Sequence, residues 1–275
     1  MGLHRAGSLA TGGWALELTP DTAGWTYAGL RMLSLEPGGT RSFGTGRDEV
    51  LVLPLSGSCV VACGGGRAEL TGRPSVFSGP SDVAYAPPGA TVTVSSVDGG
   101  RFALPCARAD RGREFRHVTE VPVELRGAGS CSRQVHNFGT PEALDAERLI
   151  ACEVLTPAGN WSSYPPHKHD EDRPGESVLE EVYYFEVDRG GPGYQQVYGG
   201  GEDLLAEVRT GDVVTIPRGW HGPSMAAPGY DLYYLNVMAG PGERAWLITD
   251  DPAHAWVRDT WAGQEIDPRL PWRTG

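Results

Sequence analysis

Short apolar runs, separated by glycine and proline at intervals of about ten residues, most constrain how this chain can fold. Residues 83–86 form one such run, and Pro87, Pro88 and Gly89 stop it. The runs are rich in β-branched and aromatic side chains, which favour extended strands. This spacing is typical of a β-sandwich or barrel and does not fit alternating strands and helices. We therefore predict an all-β fold.

The predicted strands fall into two halves of the chain. They cover residues 24–35, 49–55, 58–62, 83–86 and 91–97, then residues 131–138, 147–156, 181–187, 193–198, 204–209, 213–216 and 232–237. Residues 111–129 are a candidate linker between the halves. A tail from residue 241 carries four tryptophans and at most one short helix, near residues 253–261. So many aromatic residues predict a tail that packs onto a domain or a neighbouring subunit.

Length and charge bound the class of protein. A chain of 275 residues is long enough for two domains of about 130 residues, each with its own core. We predict these domains at residues 1–125 and 126–275. The net charge of −12 argues against a nucleic-acid partner and against binding to an anionic membrane surface.

The cysteines and the N-terminus indicate a cytoplasmic location. Five cysteines, with no Cys-x-x-Cys pair, imply no disulfide framework, which fits a reducing compartment. Cys59 and Cys63 lie in an apolar strand pattern, so we predict buried thiols there. Residues 1–14 lack a continuous apolar stretch, and we expect neither a signal peptide nor a membrane span.

Two segments of the second half resemble segments of the first, which indicates an internal duplication. Residues 81–91 match residues 211–221 at one offset, and Thr91 then falls where His221 stands. Residues 47–57 match residues 179–190 more loosely, in an alignment that pairs Glu49 with Glu181. We predict two similar all-β domains, of which only the second keeps metal ligands.

Four residues of the second half have the chemistry of metal ligands. His167 and His169 are separated by one residue, so on a strand both imidazoles lie on the same face. Glu181 opens the next apolar run, and His221 follows a Pro-Arg-Gly-Trp turn. Three imidazoles and a carboxylate suit a borderline divalent ion such as Zn, Mn, Fe, Co or Ni.

These residues resemble the two motifs of the cupin superfamily, a His-x-His with a downstream Glu and a Gly-Asp…Pro-x-Gly…His. The interval between His169 and Glu181 is longer than cupins usually show, which leaves Glu176, Glu180 and Glu181 open as the carboxylate ligand. Glu181 is preferred because it lies on the same strand face as Tyr183 and Phe185. It also aligns with Glu49 in the first half. The resemblance implies a bicupin, and it makes homo-oligomerisation plausible.

Longer stretches resemble a narrower family, the 5-deoxy-glucuronate isomerases of inositol catabolism, which are related to the 4-deoxy-5-ketouronate isomerases. The matching stretches are residues 133–137, 161–170, 179–184, 211–221 and 230–240. The resemblance implies an enzyme that converts 5-deoxy-D-glucuronate, a small sugar acid, into 5-dehydro-2-deoxy-D-gluconate. One divalent ion per chain, Zn or Mn, would be held by His167, His169, Glu181 and His221.

An aldose–ketose isomerisation needs a base, and the sequence leaves several candidates open. We predict Glu180, Tyr184 and Tyr233 as the catalytic residues. By parity, Glu180 and Tyr184 face away from Glu181 on an extended strand. The alternatives are Glu176, Asp170 or a hydroxide on the metal. The last strand offers two further pairs, Asp231 with Tyr233 and Tyr234 with Asn236, of which one faces inward.

The carboxylate of a sugar acid needs a cation in the site. Arg218 lies in the turn before His221, Arg173 lies in the acidic loop of residues 170–177, and Lys168 lies between the two histidines but on the opposite strand face. A planar guanidinium matches a carboxylate best, so Arg218 or Arg173 is preferred as the substrate-binding residue.

Two other classes of function stay open. One is a cupin dioxygenase, in which similar ligands hold Fe or Cu, and the other is a non-catalytic sugar-binding or storage bicupin. An aromatic pocket without cations would favour the dioxygenase, whereas a polar pocket would favour a sugar acid.

Overall fold

The computed structural model describes residues 1–272, which are built mainly from antiparallel strands. Within residues 1–272, helical structure is limited to the four-residue α1 (Pro20–Ala23) and to 3₁₀ turns at Val76–Ser78, Gly129–Cys131, Asp188–Gly190 and Ala255–Gly263. The last of these turns falls where one short helix of the tail was predicted. The prediction of an all-β fold is confirmed.

One sheet takes up most of the first half. The first ten strands are β1 (Gly2–His4), β2 (Leu16–Leu18), β3 (Ala28–Leu35), β4 (Thr40–Gly44), β5 (Asp48–Cys63), β6 (Gly66–Arg73), β7 (Val83–Ala86), β8 (Thr91–Ser95), β9 (Gly100–Arg108) and β10 (Arg116–Val118). All except β1 form a nine-stranded sheet with the central order β10-β7-β5-β9-β3-β2. Two predicted strands are joined in β5, because a bulge at Gly57, with φ of 84°, bends the strand without ending it.

The second half forms two further sheets. Its strands are β11 (Val123–Arg126), β12 (Arg133–Gly139), β13 (Ile150–Thr156), β14 (Trp161–Ser162), β15 (His167–Lys168), β16 (Glu180–Val187), β17 (Gly193–Gly199), β18 (Glu202–Val208), β19 (Val213–Ile216), β20 (Trp220–Ala226), β21 (Leu232–Ala239) and β22 (Thr249–Asp250). One sheet has the order β1-β19-β16-β21-β13-β12-β11, and the other has the order β18-β17-β20-β15-β22 with β14 beside β20. An apolar core that includes Tyr183, Phe185 and Val214 joins these two sheets.

The segment predicted as a linker is more ordered than expected. Residues 111–129 contain both β10, which pairs with β7, and β11, which pairs with β12. The segment therefore runs from a strand of the first half to a strand of the second, and each of its ends completes a sheet. The N-terminal strand β1 also belongs to a sheet of the second half, because it pairs with β19.

The turn that marks the duplication has the same form in both halves. Strands β7 and β19 have equivalent bounds, and each is followed by Pro-x-Gly. Gly89 and Gly219 both take positive φ, at 74° and 88°, a conformation that glycine adopts without strain. The structure therefore supports the predicted match of residues 81–91 with residues 211–221.

Strand pairing corrects the second match by one residue. Val50 pairs with Ala86 across β5 and β7, and Glu181 pairs with Ile216 across β16 and β19. Because Ala86 and Ile216 each end the matched strand, the residue equivalent to Glu181 is Val50. The prediction that Glu49 matches Glu181 is wrong. Glu49 precedes Val50 just as Glu180 precedes Glu181, so the sequence alone does not show which acid of the second half matches Glu49. A buried valine thus stands where the second half has its carboxylate.

The two halves pack through one face of a sheet from each. Leu51 and Leu53 of β5, and Val182 and Tyr184 of β16, lie in a core shared by both halves. The alternate positions of both strands face the interior of their own half, because side chains alternate along a strand.

A carboxylate from each half binds the backbone of the other. The fully buried Glu49 accepts hydrogen bonds from the backbone N–H groups of residues 147, 148 and 149, at 2.9, 2.7 and 2.6 Å. Glu180 accepts them from residues 26, 27 and 28, at 2.8, 2.7 and 2.9 Å. These reciprocal contacts confirm that Glu49 and Glu180 are equivalent.

The prediction of buried thiols at Cys59 and Cys63 is confirmed. All five cysteines are free thiols, and Cys59 and Cys63 are buried in the apolar core of the first half. In the part of the chain that the structure describes, no helix has both the length and the apolar character to span a membrane.

Candidate metal centre

The four predicted ligands come from two strands of one sheet, a strand of the facing sheet and a loop. His167 on β15 pairs directly with His221 on β20, and His169 follows β15. Glu181 is the second residue of β16 and points to the interior of the second half, in phase with Tyr183. The structure thus brings together residues that are up to 54 positions apart, from His167 to His221.

Three of these residues form a tight buried cluster. The ligand atoms of His169, Glu181 and His221 lie within 4.8 Å of one another. Glu181 Oε2 is 3.2 Å from His169 Nε2 and 3.0 Å from His221 Nε2. Both histidines direct the same ring nitrogen at one carboxylate oxygen, which is the arrangement expected around a cation.

Backbone carbonyls hold both imidazoles in place. His169 Nδ1 donates to the carbonyl of Leu179 at 3.1 Å, and His221 Nδ1 donates to that of Gly219 at 3.2 Å. Placing the proton on Nδ1 leaves Nε2 with a free lone pair for a metal ion. Gly219, the glycine of the turn, therefore also orients His221.

The chemistry of the cluster fits a divalent metal ion. His221 Nε2 is buried and has no hydrogen-bond partner, since its approach to Glu181 lacks hydrogen-bonding alignment. A buried polar atom without a partner is costly unless something else binds it. Two imidazole nitrogens and one carboxylate oxygen suit ions such as Zn or Mn.

His167 lies beside this cluster and is not one of its three members. Its ring centroid is 4.4 Å from that of His221 and 6.4 Å from that of His169. Burial, with the charges of His221 and His169, holds the pKa of His167 well below its usual range. His167 is therefore neutral at physiological pH, the form that binds metals.

The charges of the cluster stabilise one another. Burial alone would raise the pKa of Glu181, but His221 and His169 outweigh it and lower that pKa to about 2. Burial would also lower the pKa of His169, but the hydrogen bond and charge of Glu181 raise it. Glu181 is thus ionised throughout the physiological range.

His167 connects the cluster to a cavity of about 480 Å³. The cavity is lined by residues of β11, β12 and β13, the β14–β15 loop, β21 and the tail, namely Glu124, Leu125, Arg126, Gly127, Arg133, Val135, Val154, Ser163, His167, Tyr234, Asn236, Trp246, Ile248, Arg258 and Trp261. Its volume is suitable for one small molecule, and its lining is polar and contains three arginines.

The residues predicted to bind the substrate carboxylate lie elsewhere. Lys168 Nζ is 2.5 Å from Asp170, 2.7 Å from Glu171 and 3.1 Å from Glu176. Arg173 forms an ion pair with Glu176 at 2.6 Å. The structure does not bring either of them into the cavity, because the acidic loop already binds their charges.

Arg218 is also outside the cavity. Its side chain is 62% exposed, and the nearest carboxylate is that of Glu202 at 3.8 Å. The turn that carries Arg218 positions His221 but directs the guanidinium to solvent.

The residues predicted to be catalytic lie at the contact between the halves. Glu180 binds the backbone of residues 26–28, Tyr184 donates to Glu186 at 3.2 Å, and Tyr233 donates to Glu153 at 2.6 Å. All three have the parity opposite to that of the inward-facing residues on their strands. The alternative pair, Tyr234 and Asn236, lines the cavity instead.

Sequence reasoning missed the arginines and tryptophans of the cavity. Arg126 and Arg133 flank the turn between β11 and β12, and Arg126 lies within the candidate linker of residues 111–129. The other three, Trp246, Arg258 and Trp261, come from the tail. A signal was present, because Arg133 opens one of the stretches that carry the family resemblance. The sequence predicts a tail that packs onto a domain or a neighbouring subunit, but it does not predict that the tail lines a cavity.

Comparisons with known proteins find relatives over most of the chain. The 5-deoxy-glucuronate isomerase of Geobacillus kaustophilus is 40% identical over 256 residues, which cover 90% of this chain and 92% of that protein. The enzyme of the same name from Bacillus subtilis strain 168 is 36% identical over 249 residues, with 88% and 91% covered.

Solved structures extend the comparison to the fold. The crystal structure of an IolB-like protein from Salmonella typhimurium LT2 has a TM-score of 0.87 at 33% identity, covering 93% of this chain and 98% of that one. Oxalate decarboxylase from Bacillus subtilis, at 12% identity, has a TM-score of 0.59 over 85% of this chain and 73% of its own. This second likeness concerns the fold alone and agrees with the predicted cupin architecture. The sequence model of the KduI/IolB family matches residues 3–257, and the chain belongs to that family.

Proposed function

We propose that this protein is a 5-deoxy-glucuronate isomerase, which converts the aldose 5-deoxy-D-glucuronate into the ketose 5-dehydro-2-deoxy-D-gluconate in inositol catabolism. The observation that carries the proposal is the buried cluster of His169, Glu181 and His221 beside a polar, cationic cavity. Relatives that carry this enzyme name are 35–40% identical over most of the chain, which supports the same reaction.

The ligand set of the proposed enzyme is His169, Glu181 and His221, with His167 as the fourth ligand beside them. One Zn or Mn ion per chain fits these donors. When bound, the ion would act as a Lewis acid that stabilises negative charge on substrate oxygens. The reaction is redox-neutral, so a metal without redox chemistry suffices.

Tyr234 is the residue we propose as a proton donor to the substrate. Its hydroxyl lies 2.9 Å from Ser162 Oγ and 3.0 Å from Ser163 Oγ, and the residue lines the cavity. Burial raises the pKa of Tyr234, so the phenol stays protonated at neutral pH. Ser163 has a positive φ of 48°, an unusual conformation for serine that places it at the cavity wall.

The lining of the cavity supports a sugar acid over the substrate of an oxygenase. Arg126, Arg133 and Arg258 line it together with Asn236 and Ser163. Cationic and polar groups match a carboxylate and hydroxyls, whereas an aromatic pocket without cations would have favoured a dioxygenase.

The proposal is tested by incubating the purified chain with 5-deoxy-D-glucuronate under nitrogen and following the sugar by NMR. We expect the aldehyde proton signal to be replaced by the signals of the ketone without any requirement for oxygen. A product that forms only in air would indicate an oxygenase. Binding without turnover would contradict the isomerase and favour a sugar-binding protein.

A further inference from the structure

One cationic side chain of the cavity has no anionic partner. Arg133 on β12 is 7% exposed, and its Nη1 donates to the carbonyl of Cys131 at 3.1 Å. Its guanidinium also lies 5.6 Å from the ring centroid of Trp261. Among residues 1–272 it forms no ion pair with a carboxylate. These contacts orient the guanidinium but leave its charge unbalanced.

The other two arginines of the cavity are already paired. Arg126 Nε lies 2.8 Å from Glu124, and Arg258 Nη2 lies 2.7 Å from Asp250. Their charges are therefore balanced by the protein itself. Arg133 leaves one excess positive charge at the cavity wall, which is what a ligand with a single carboxylate would neutralise.

The electrostatics of Arg133 reflect this lack of a partner. Burial lowers its pKa to about 10, and the neighbouring charges of Arg126 and Arg258 act in the same direction. The guanidinium is still charged at neutral pH. An unpaired buried charge is unfavourable, so a bound anion would relieve the cost.

Three further polar groups of the cavity also lack partners. The Oδ1 of Asn236 and the indole Nε1 atoms of Trp246 and Trp261 are buried without hydrogen bonds to described residues. One acceptor and two donors, in addition to the guanidinium, match a ligand that carries several hydroxyls beside its carboxylate.

We propose that Arg133 binds the carboxylate of the sugar acid and so sets the direction in which the substrate lies. The inference rests on the proposed function and deepens it, because the metal cluster adjoins the cavity through His167 and Arg133 lines the same cavity. A substrate held at Arg133 presents its opposite, carbonyl end to the metal ligands. The enzyme would then select acids over neutral sugars of the same shape.

The test measures selectivity between an acid and its neutral isostere, and it does not depend on turnover. Dissociation constants of D-glucuronate and D-glucuronamide are measured by calorimetry for the zinc-loaded chain. We expect the natural chain to bind the acid about 10- to 100-fold more tightly than the amide. Arg133→Ala should reduce that ratio to about 1–3, and Arg133→Lys should retain an intermediate ratio because it keeps the charge but not the planar fork.

The matched control is Arg218→Ala, which removes an exposed arginine outside the cavity and should leave the ratio unchanged. Circular dichroism checks that each variant is folded, and Arg133→Lys supplies the result if Arg133→Ala is not. An unaltered ratio in the folded Arg133 variants would overturn the proposal, and so would a natural chain without preference for the acid.

The two proposals can fail separately. Selective binding that depends on Arg133, without isomerisation of 5-deoxy-D-glucuronate, would retain the carboxylate site and reject the proposed reaction. Isomerisation with a ratio that Arg133 does not affect would retain the reaction and reject this site.

Discussion

Adjacent residues on β16 and β21 have unrelated tasks because side chains alternate along a strand. Glu181 belongs to the candidate metal cluster, whereas Glu180 binds the backbone of the other half. Tyr234 lines the cavity, whereas Tyr233 donates to a buried carboxylate between the halves. Parity alone therefore separates the residues of the site from those that hold the halves together.

At the scale of the residue, His221→Ala should abolish metal binding. The substitution removes one nitrogen of the three-residue cluster, and we expect activity to fall at least about 100-fold, since even partners of ligands cost up to that factor. The fold should persist, because the apolar core around the cluster is unchanged. Elemental analysis, circular dichroism and the NMR assay measure these quantities.

His4→Ala is the matched control for that experiment. His4 lies on β1 and is not part of the cluster, so its removal should leave metal content and activity intact. Stoichiometric metal and full activity in His221→Ala would refute the assignment of the site.

The acidic loop explains the long interval between His169 and Glu181. Asp170 accepts a hydrogen bond from the backbone N–H of Gly219 at 2.8 Å, and Glu176 accepts one from Thr249 at 2.6 Å. The loop thus ties the turn before His221 to the tail. Lys168 and Arg173 pair with the carboxylates of this loop, which is why neither side chain reaches the cavity.

At the scale of the element, the carboxylate contacts of β5 and β16 predict unequal losses of stability. Glu49→Ala leaves three backbone N–H groups without their acceptor in a fully buried place, and we expect a loss of about 3 kcal/mol. Glu180→Ala should cost less, about 1–2 kcal/mol, because water reaches part of that site. Urea unfolding measures both values.

Glu69→Ala provides the reference for a surface carboxylate. Its side chain is 75% exposed and pairs with the exposed Arg67, so its loss should change stability by less than about 0.5 kcal/mol. Equal effects of Glu49→Ala and Glu69→Ala would show that the contact between the halves contributes nothing.

At the scale of the whole molecule, a buried ion pair joins the halves. Arg73 of β6 pairs with Glu153 of β13, and both side chains are almost completely buried. His136 Nδ1 lies 3.1 Å from Glu153, and Tyr233 donates to the same carboxylate. Burial alone would raise the pKa of Glu153, but Arg73 and His136 outweigh it and lower that pKa to about 2.

This pair predicts how stability depends on pH. A carboxylate whose pKa is lowered on folding, here from 4.5 to about 2, stabilises the folded state above pH 4.5. That contribution is lost progressively as the pH falls from about 4.5 to about 2. Glu153→Gln should cost about 3–5 kcal/mol at pH 7, because it leaves Arg73 charged and unpaired. The difference from the natural chain should shrink towards pH 2.

Urea unfolding at a series of pH values measures this difference, with Glu69→Gln as the surface control. A cost of Glu153→Gln that is the same at pH 7 and pH 2.5 would show that the ion pair is not the source of the acid sensitivity.

The fold, and the meeting of His169, Glu181 and His221 in one cluster, could be predicted from the sequence because both depend on local patterns. Strand alternation and turn glycines indicated the sheets, and the His-x-His spacing placed two imidazoles together. The ligand phase at Glu181 followed from parity. The position of Arg133 was not predictable, since it depends on how β12, β21 and the tail enclose one cavity.

The same reason explains the residues that were misplaced. Arg218, Arg173 and Lys168 are near the ligands in sequence, but partners or solvent take their charges in three dimensions. The match of Glu49 with Glu181 failed because only strand pairing, a long-range property, fixes the phase between the halves.

We propose that catalysis depends on one ion in the cluster of His169, Glu181 and His221. The most direct measurement titrates Zn or Mn into chelator-treated, metal-free chain and follows the conversion of 5-deoxy-D-glucuronate by NMR. We expect no turnover without metal, a rise in turnover in proportion to added metal, and a plateau at one equivalent per chain. Full turnover by a chain verified to be free of metal would contradict it.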